Sequence, residues 1–206
     1  TSTGGTSTFR LHRDMGLVSQ VFGAQELEHL KGTRAVGHAR YSTTGTSTLK
    51  NAQPFVVDCF RGQIAVAHNG NLINAAVLRD ELERRGSIFQ TTADSEIIPH
   101  LLAQPSQNGH SPLNVLHRLE GAFSLIIMSE REIIGVRDPF GFRPLVLGKL
   151  DGAYILASET CAFDLVHAES VRAVAPGEAL IISEEGLRSE WPFGADVESV
   201  CRFEFV

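Results

Sequence analysis

Cysteine is scarce in this chain: Cys59, Cys161 and Cys201 are an odd number in 206 residues, with no close spacing. That argues against a disulfide framework or a zinc knuckle and makes a reducing cytoplasm the expected setting. Positive charge is also short. Eighteen Lys and Arg stand against 24 Asp and Glu, a net charge of −6, so there is no basic footprint for nucleic acid. No apolar run approaches the ~18 residues of a spanning helix, and no basic-then-apolar leader opens the chain, so no membrane partner is expected. The chain opens TSTGGTST without an initiating Met and closes on the apolar run CRFEFV, and both ends read as cuts.

What is present is ordinary for a soluble fold, with 43% hydrophobic and 20% charged residues. At about 150 residues per domain the length corresponds to roughly one and a half domains. β-rich runs over 55–60 and 63–68 flank Arg61-Gly62, and a second pair over 122–128 and 132–137 flanks 129–131. A third pair, over 145–150 and 153–158, flanks Asp151-Gly152, the strongest hairpin signal here. Runs over 171–175 and 179–183 continue the pattern around Pro176-Gly177. Connections this short predict antiparallel neighbours.

Three helices are expected between the strands. Residues 71–85 put Ala75, Leu78 and Leu82 on one face and end at Gly86. Ser111-Pro112 is an N-cap with proline at the first helical position. The third helix spans about 94–103, where Pro99 predicts a kink or a late start. Antiparallel strands covered by amphipathic helices suggest layers with the helices outside. From about Ser189 onward the chain reads as a linker around Trp191-Pro192.

Three polar clusters end apolar runs. In GHARYSTTG, over 37–45, Arg40 could clamp a carboxylate with its rigid fork, Thr43 adding a hydrogen bond. A salt-bridged surface loop is the plainer reading. In AHNGN, over 67–71, Asn-Gly is first a turn signal. Its functional reading is an oxyanion hole from the Asn69 amide and the Gly70 N–H, with His68 a packed strand-end residue. In TTADSE, over 91–96, the acids suit a helix start, and Asp94 could instead grip an ammonium group.

Taken in order, GHARY, NAQPF (51–55), HNG and DSE resemble the class II glutamine amidotransferases, which carry an N-terminal-nucleophile hydrolase domain. MGLV (15–18), RDPFGFRP (137–144), ASETC (157–161) and PGE (176–178) extend the match to nearly the whole chain. Within that superfamily the chain is most similar to amidophosphoribosyltransferases. The glucosamine-6-phosphate synthase family would favour Arg-Trp at Arg40-Tyr41 and a histidine-rich version of the 51–55 run.

The resemblance implies an α+β fold, a four-layer αββα sandwich of two mainly antiparallel sheets. It implies a glutaminase domain over 1–190, lacking its N-terminal strand, and a linker with the start of a phosphoribosyltransferase domain over 191–206. It assigns Arg40 and Thr43 to the glutamine α-carboxylate, Asp94 to the α-ammonium, and Asn69 and Gly70 to the oxyanion. L-Glutamine is the implied substrate, with ammonia passed to phosphoribosyl pyrophosphate in a further domain that uses Mg2+. No cofactor is expected for glutamine hydrolysis itself. Cys201 matches an iron–sulfur ligand of those members that hold a 4Fe–4S cluster. The intact protein is expected to be a homo-oligomer. The family's nucleophile is an N-terminal cysteine, and neither it nor its HRGQES-like companion segment is in this chain. Thr1 opens a Gly/Ser/Thr-rich run that reads as loop, not as a catalytic strand. The chain alone is therefore expected to be inactive. A nucleophile-free glutamine-binding module and a poorly folding remnant are the alternatives.

Overall fold

Alternation along each strand decides where this chain buries its apolar residues, and the computed structural model describes residues 2–3, 9–40, 48–105 and 111–194. Short elements come first: β1 (Ser2–Thr3), β2 (Phe9–Arg10), α1 (Val18–Val21), α2 (Ala24–His29) and β3 (Arg34–Ala35). β4 (Phe55–Cys59) and β5 (Gly62–Leu72) form the first hairpin, followed by α3 (Ala75–Arg84) and α4 (Ile97–Leu102). β6 (Gly121–Met128) pairs with β7 (Glu132–Arg137), and β8 (Val146–Leu150) with β9 (Ala153–Ala157). Then come α5 (Cys161–Val166), β10 (Glu169–Ala173), β11 (Ala179–Ser183) and β12 (Gly186–Glu190).

Six strands form one antiparallel sheet in the order β12-β11-β7-β6-β5-β4. Residues of one parity, such as Ile64, Val66, Phe123, Leu125, Ile134 and Ile181, point to one face. There they meet Leu78 and Leu82 of α3, Ile98 and Leu101 of α4, and Leu113 and Leu116 of the 3-10 helix Pro112–Arg118. The other parity faces two smaller sheets, β2-β1-β3 and β10-β8-β9. Ala65, Ala67 and Met128 pack with Phe9 and Val36, while Leu180 packs with Leu145, Leu147 and Val174. On the outer side of β8, Phe163 of α5 lies against Gly148, where a Cβ would stand only 2.8 Å from its ring. The layers therefore run helix, sheet, sheet, helix, an α+β sandwich.

Several expectations change. The strand before the first helix does not turn at Asn69-Gly70; β5 continues to Leu72 and α3 begins only at Ala75. The reason is reciprocal close approach. Gly70 and Gly121 both have φ +142°, and a Cβ on either would stand 2.0–2.2 Å from a carbonyl oxygen of the facing strand. Here glycine lets a ladder close instead of bending the chain. The runs on either side of Pro176-Gly177 are not a hairpin: β10 pairs with β8, and β11 with β7 and β12. The chain changes sheets there, and buried Glu178 anchors the crossing. Its carboxylate accepts two 2.7 Å bonds from Arg172, a 2.5 Å bond from the Ser189 hydroxyl and a 2.8 Å bond from the Ala175 N–H. Ser189 lies in β12 instead of opening a linker, and beyond it Phe193 packs on Phe123 at 5.9 Å.

Pro99 produces a late start. A 3-10 turn over Asp94–Glu96 precedes α4, placing Pro99 in the first turn, where its missing N–H leaves no intrahelical bond unmade. Ser111 caps the helix after it, accepting a bond from the Leu113 N–H, but that helix is 3-10. The short helices α1, α2 and α5 were not anticipated.

Gly121→Ala tests the close ladder. The new methyl would meet the Asn71 carbonyl at 2.2 Å on backbone with positive φ, so a loss of about 1–3 kcal/mol or more is expected in urea unfolding. Unchanged stability would show that β5 and β6 can separate at that point without cost.

Candidate active site

β5 outruns its neighbour. Its pairing with β4 ends at Val66 opposite Phe55, whereas pairing with β6 runs on to Leu72. The strand edge beyond Val66 is therefore open on one side, and side chains satisfy it. The Gln53 amide accepts the His68 N–H at 2.7 Å and donates back to the His68 carbonyl at 3.3 Å, as a pairing residue would. His38 Nε2 donates to the same carbonyl at 3.1 Å. Four residues on, the Leu72 N–H donates to Asp94 Oδ2 at 3.1 Å.

A cavity of about 400 Å3 opens along this edge. Arg40, Asn69, Gly70 and Asp94 all line it, so the structure brings together four of the five residues selected from sequence. Thr43 lies outside the described residues, as do Thr1 and Cys201. The cavity is also lined by His38, Gln53, His68, Ser95, Arg143 and Ser158, to which sequence reasoning assigned no role there. Gln53, Arg143 and Ser158 fall inside the runs NAQPF, RDPFGFRP and ASETC; the signal was present as pattern, without a physical role to attach to it.

Hydrogen bonds set the orientation of the polar groups. Asp94 Oδ1 accepts the Ser95 hydroxyl at 3.2 Å. With its proton turned to the carboxylate, Ser95 Oγ is an acceptor toward His68 Nδ1 at 2.8 Å. His68 then carries its proton on Nδ1 and a lone pair on Nε2, which has no partner among the described residues. Asn69 Oδ1 accepts from Arg143 Nη2 at 2.7 Å, while Asn69 Nδ2 donates to Ser158 Oγ at 3.3 Å.

Burial pushes the His68 imidazole down from its ordinary 6.5 to about 4, against the pull of Asp94 at 4.0 Å and with smaller help from His38 and Arg143. Burial also lowers His38, against its bond to the His68 carbonyl and with Arg40 assisting. Both rings are neutral near pH 7, so the ionic side chains that line the cavity are Arg40, Arg143 and Asp94. No cysteine lines the cavity among the described residues. Cys59 lies in β4, with its thiol on the Gly62 carbonyl at 3.4 Å. Cys161 is exposed, and its hydrogen bond to Glu159 raises the thiol pKa, the reverse of what a nucleophile needs. Among the described residues no cluster of three or more His, Cys, Asp or Glu is arranged to hold a metal. No helix among them is long and apolar enough to cross a membrane.

The buried neutral His68 predicts a pH dependence of stability. The unfolded chain binds a proton below about 6.5 that the folded chain refuses until about 4. Stability from this group is thus full above pH 6.5 and falls as pH drops toward 4, by on the order of 3 kcal/mol at most. Urea midpoints at pH 7 and 4.5 should converge in His68→Gln relative to the parent chain. Equal slopes would place the proton uptake elsewhere.

Residues 38–164 match the family model described as a glutamine amidotransferase domain. The chain is 45% identical over 205 residues to amidophosphoribosyltransferase of Bacillus subtilis, covering 95% of this chain and 42% of that protein. It is 43% identical to amidophosphoribosyltransferase of Archaeoglobus fulgidus, covering 96% of this chain and 44% of the relative. The solved structure of glutamine phosphoribosylpyrophosphate amidotransferase from B. subtilis, complexed with ADP and GMP, superimposes with a TM-score of 0.82 at 44% identity. That match covers 90% of this chain and 40% of the other. The chain thus spans under half the length of these relatives. With more than half of its residues inside the family model, this chain belongs to the glutamine amidotransferase domain family.

Proposed function

We propose that the cavity binds L-glutamine and that the chain is the glutaminase portion of an amidophosphoribosyltransferase. One observation carries the reading: Arg40, Asp94 and an Asn69 amide turned by Arg143 line a single small cavity. An amino acid needs that set of partners. Arg40, with Thr43, takes the α-carboxylate through a charge-assisted fork, and Asp94 takes the α-ammonium. The side-chain carbonyl then meets Asn69 Nδ2 and the Gly70 N–H, which strand alternation directs to the same open edge as the N–H groups of His68 and Leu72.

These two donors suit a tetrahedral intermediate, because they stabilise negative charge where it develops on the amide oxygen. The nucleophile in this reading is a cysteine at a chain N-terminus, whose own amine, titrating near neutrality, carries its proton to the departing ammonia. Attack forms a thioester and releases ammonia; water then releases glutamate. Cys59 and Cys161 stand away from the cavity, so neither is the nucleophile in this reading.

The names of the relatives support transfer to phosphoribosyl pyrophosphate; in this reading ammonia displaces its pyrophosphate in a transferase domain that uses Mg2+. Residues 1–190 are the glutaminase unit, and 191–206 lead toward that domain, where Cys201 would contribute to any iron–sulfur cluster. A cytoplasmic homo-oligomer is the expected setting of the whole enzyme. The position of Cys59 and Cys161 outside the cavity also suits a second reading, a glutamine-binding module without hydrolysis. The coding sequence upstream of Thr1 separates the two. A cysteine directly after the start Met supports the enzyme, and an upstream stop codon supports the module.

Calorimetric titration of the chain should show L-glutamine binding that Arg40→Gln and Asp94→Asn each weaken by about 10–100-fold, the worth of one hydrogen bond to a charged group. Affinity for L-glutamine equal to that of the parent chain in both variants would remove the assignment. In an enzyme carrying the N-terminal cysteine, Asn69→Ala should lower glutaminase kcat by about 100–1,000-fold with little change in KM.

A further inference from the structure

The run RDPFGFRP builds a loop whose purpose is not visible in the sequence. Asp138 is fully buried, and its two oxygens accept four backbone N–H groups: Phe123 at 3.3 Å, Phe140 at 3.0 Å, Phe142 at 3.1 Å and Arg143 at 3.0 Å. Beside it, the Arg137 guanidinium donates to the carbonyls of Arg143 at 2.9 Å, Gly141 at 2.7 Å and Val174 at 2.9 Å. A carboxylate collects the loop's donors and a guanidinium collects its acceptors, and both grip the backbone of residue 143. The loop is fixed where its last arginine leaves it, and that arginine reaches Asn69 Oδ1 at 2.7 Å.

We infer that Arg143 is a positioning residue that decides which end of the Asn69 amide faces the cavity. A primary amide has two nearly isosteric ends, one accepting and one donating. Arginine has five donors and no acceptor, so only the Asn69 oxygen can face it, and the NH2 is turned the other way. The other neighbour does not choose: the Ser158 hydroxyl, 3.3 Å from Nδ2, can donate or accept and would suit either end. Without Arg143, the flipped amide would present an oxygen to a ligand carbonyl and repel it. This inference rests on the reading that the cavity takes an amino acid whose side-chain carbonyl meets Asn69. It adds a residue of the same cavity wall that acts through Asn69.

The test uses the 206-residue chain, with L-glutamine and L-glutamate as probes, glutamate placing a charged oxygen where the amide oxygen would lie. In Arg143→Met the Asn69 side-chain NH2 resonances should shift or double in NMR spectra, while Arg143→Lys keeps a donor and retains one set. The Phe140 and Phe142 backbone amides report whether the loop survives; if they move in R143M, Arg143→Leu is read in its place. Glutamate affinity should fall about tenfold or more in R143M, return to within about threefold in R143K, and not fall further when R143M is added to Asn69→Ala. Unchanged Asn69 resonances in R143M, or an equal loss in the N69A background, would overturn the inference. If the parent chain binds neither probe, the glutamine reading fails, and the Asn69 resonances still decide the role of Arg143.

Discussion

The open edge of β5 is the constraint on which the site depends. A central strand whose neighbour stops early leaves backbone donors and acceptors without a ladder, and buried groups of that kind must find partners. Here β4 ends at Phe55 opposite Val66, and the partners of His68 and Leu72 are the side chains of Gln53, His38 and Asp94. Those side chains come from three separate segments. Satisfying the edge therefore gathers them around one cavity.

Electrostatics follow from that geometry. His38 and His68 are neutral because they are buried, and His68 contributes as a fixed donor to Ser95 instead of a charge. Ser95 in turn orients Asp94, which the Leu72 N–H holds from the other oxygen. Across the same cavity, Arg143 holds Asn69. Asn69 and Asp94, both assigned to ligand contact, are thus each held by a second side chain that lines the same cavity. Such support preorganises donors and acceptors before a ligand arrives.

Hairpins and helix stops were legible because local chemistry sets them. Asp151-Gly152 turned as its residues require, with both at positive φ, and Pro99 delayed its helix as its missing N–H requires. Pro176-Gly177 marked a turn correctly but not its outcome. A turn signal gives a change of direction, whereas the sheet each flanking strand joins depends on distant partners such as Arg172 and Ser189. Asn69-Gly70 misled for a related reason: the glycine serves a close contact with Ala122 across the ladder, and nothing local distinguishes that from a turn.

The sequence by itself determined the alternation that buries two faces of the main sheet, the order of the elements, and the residue types able to hold an amino acid. Arg40, Asn69, Gly70 and Asp94 could be chosen from it because the order of the motifs resembles a family, and the side chains of Arg40, Asn69 and Asp94 and the backbone N–H of Gly70 suit the implied roles. Only the tertiary structure decided that they share a cavity, that His68 is neutral, and that Gln53 and Arg143 support the site. The physical reason is that burial, hydrogen-bond direction and amide orientation are set by neighbours 15 to 74 residues away in the chain. Side-chain identity is local, but the environment that gives it a role is not.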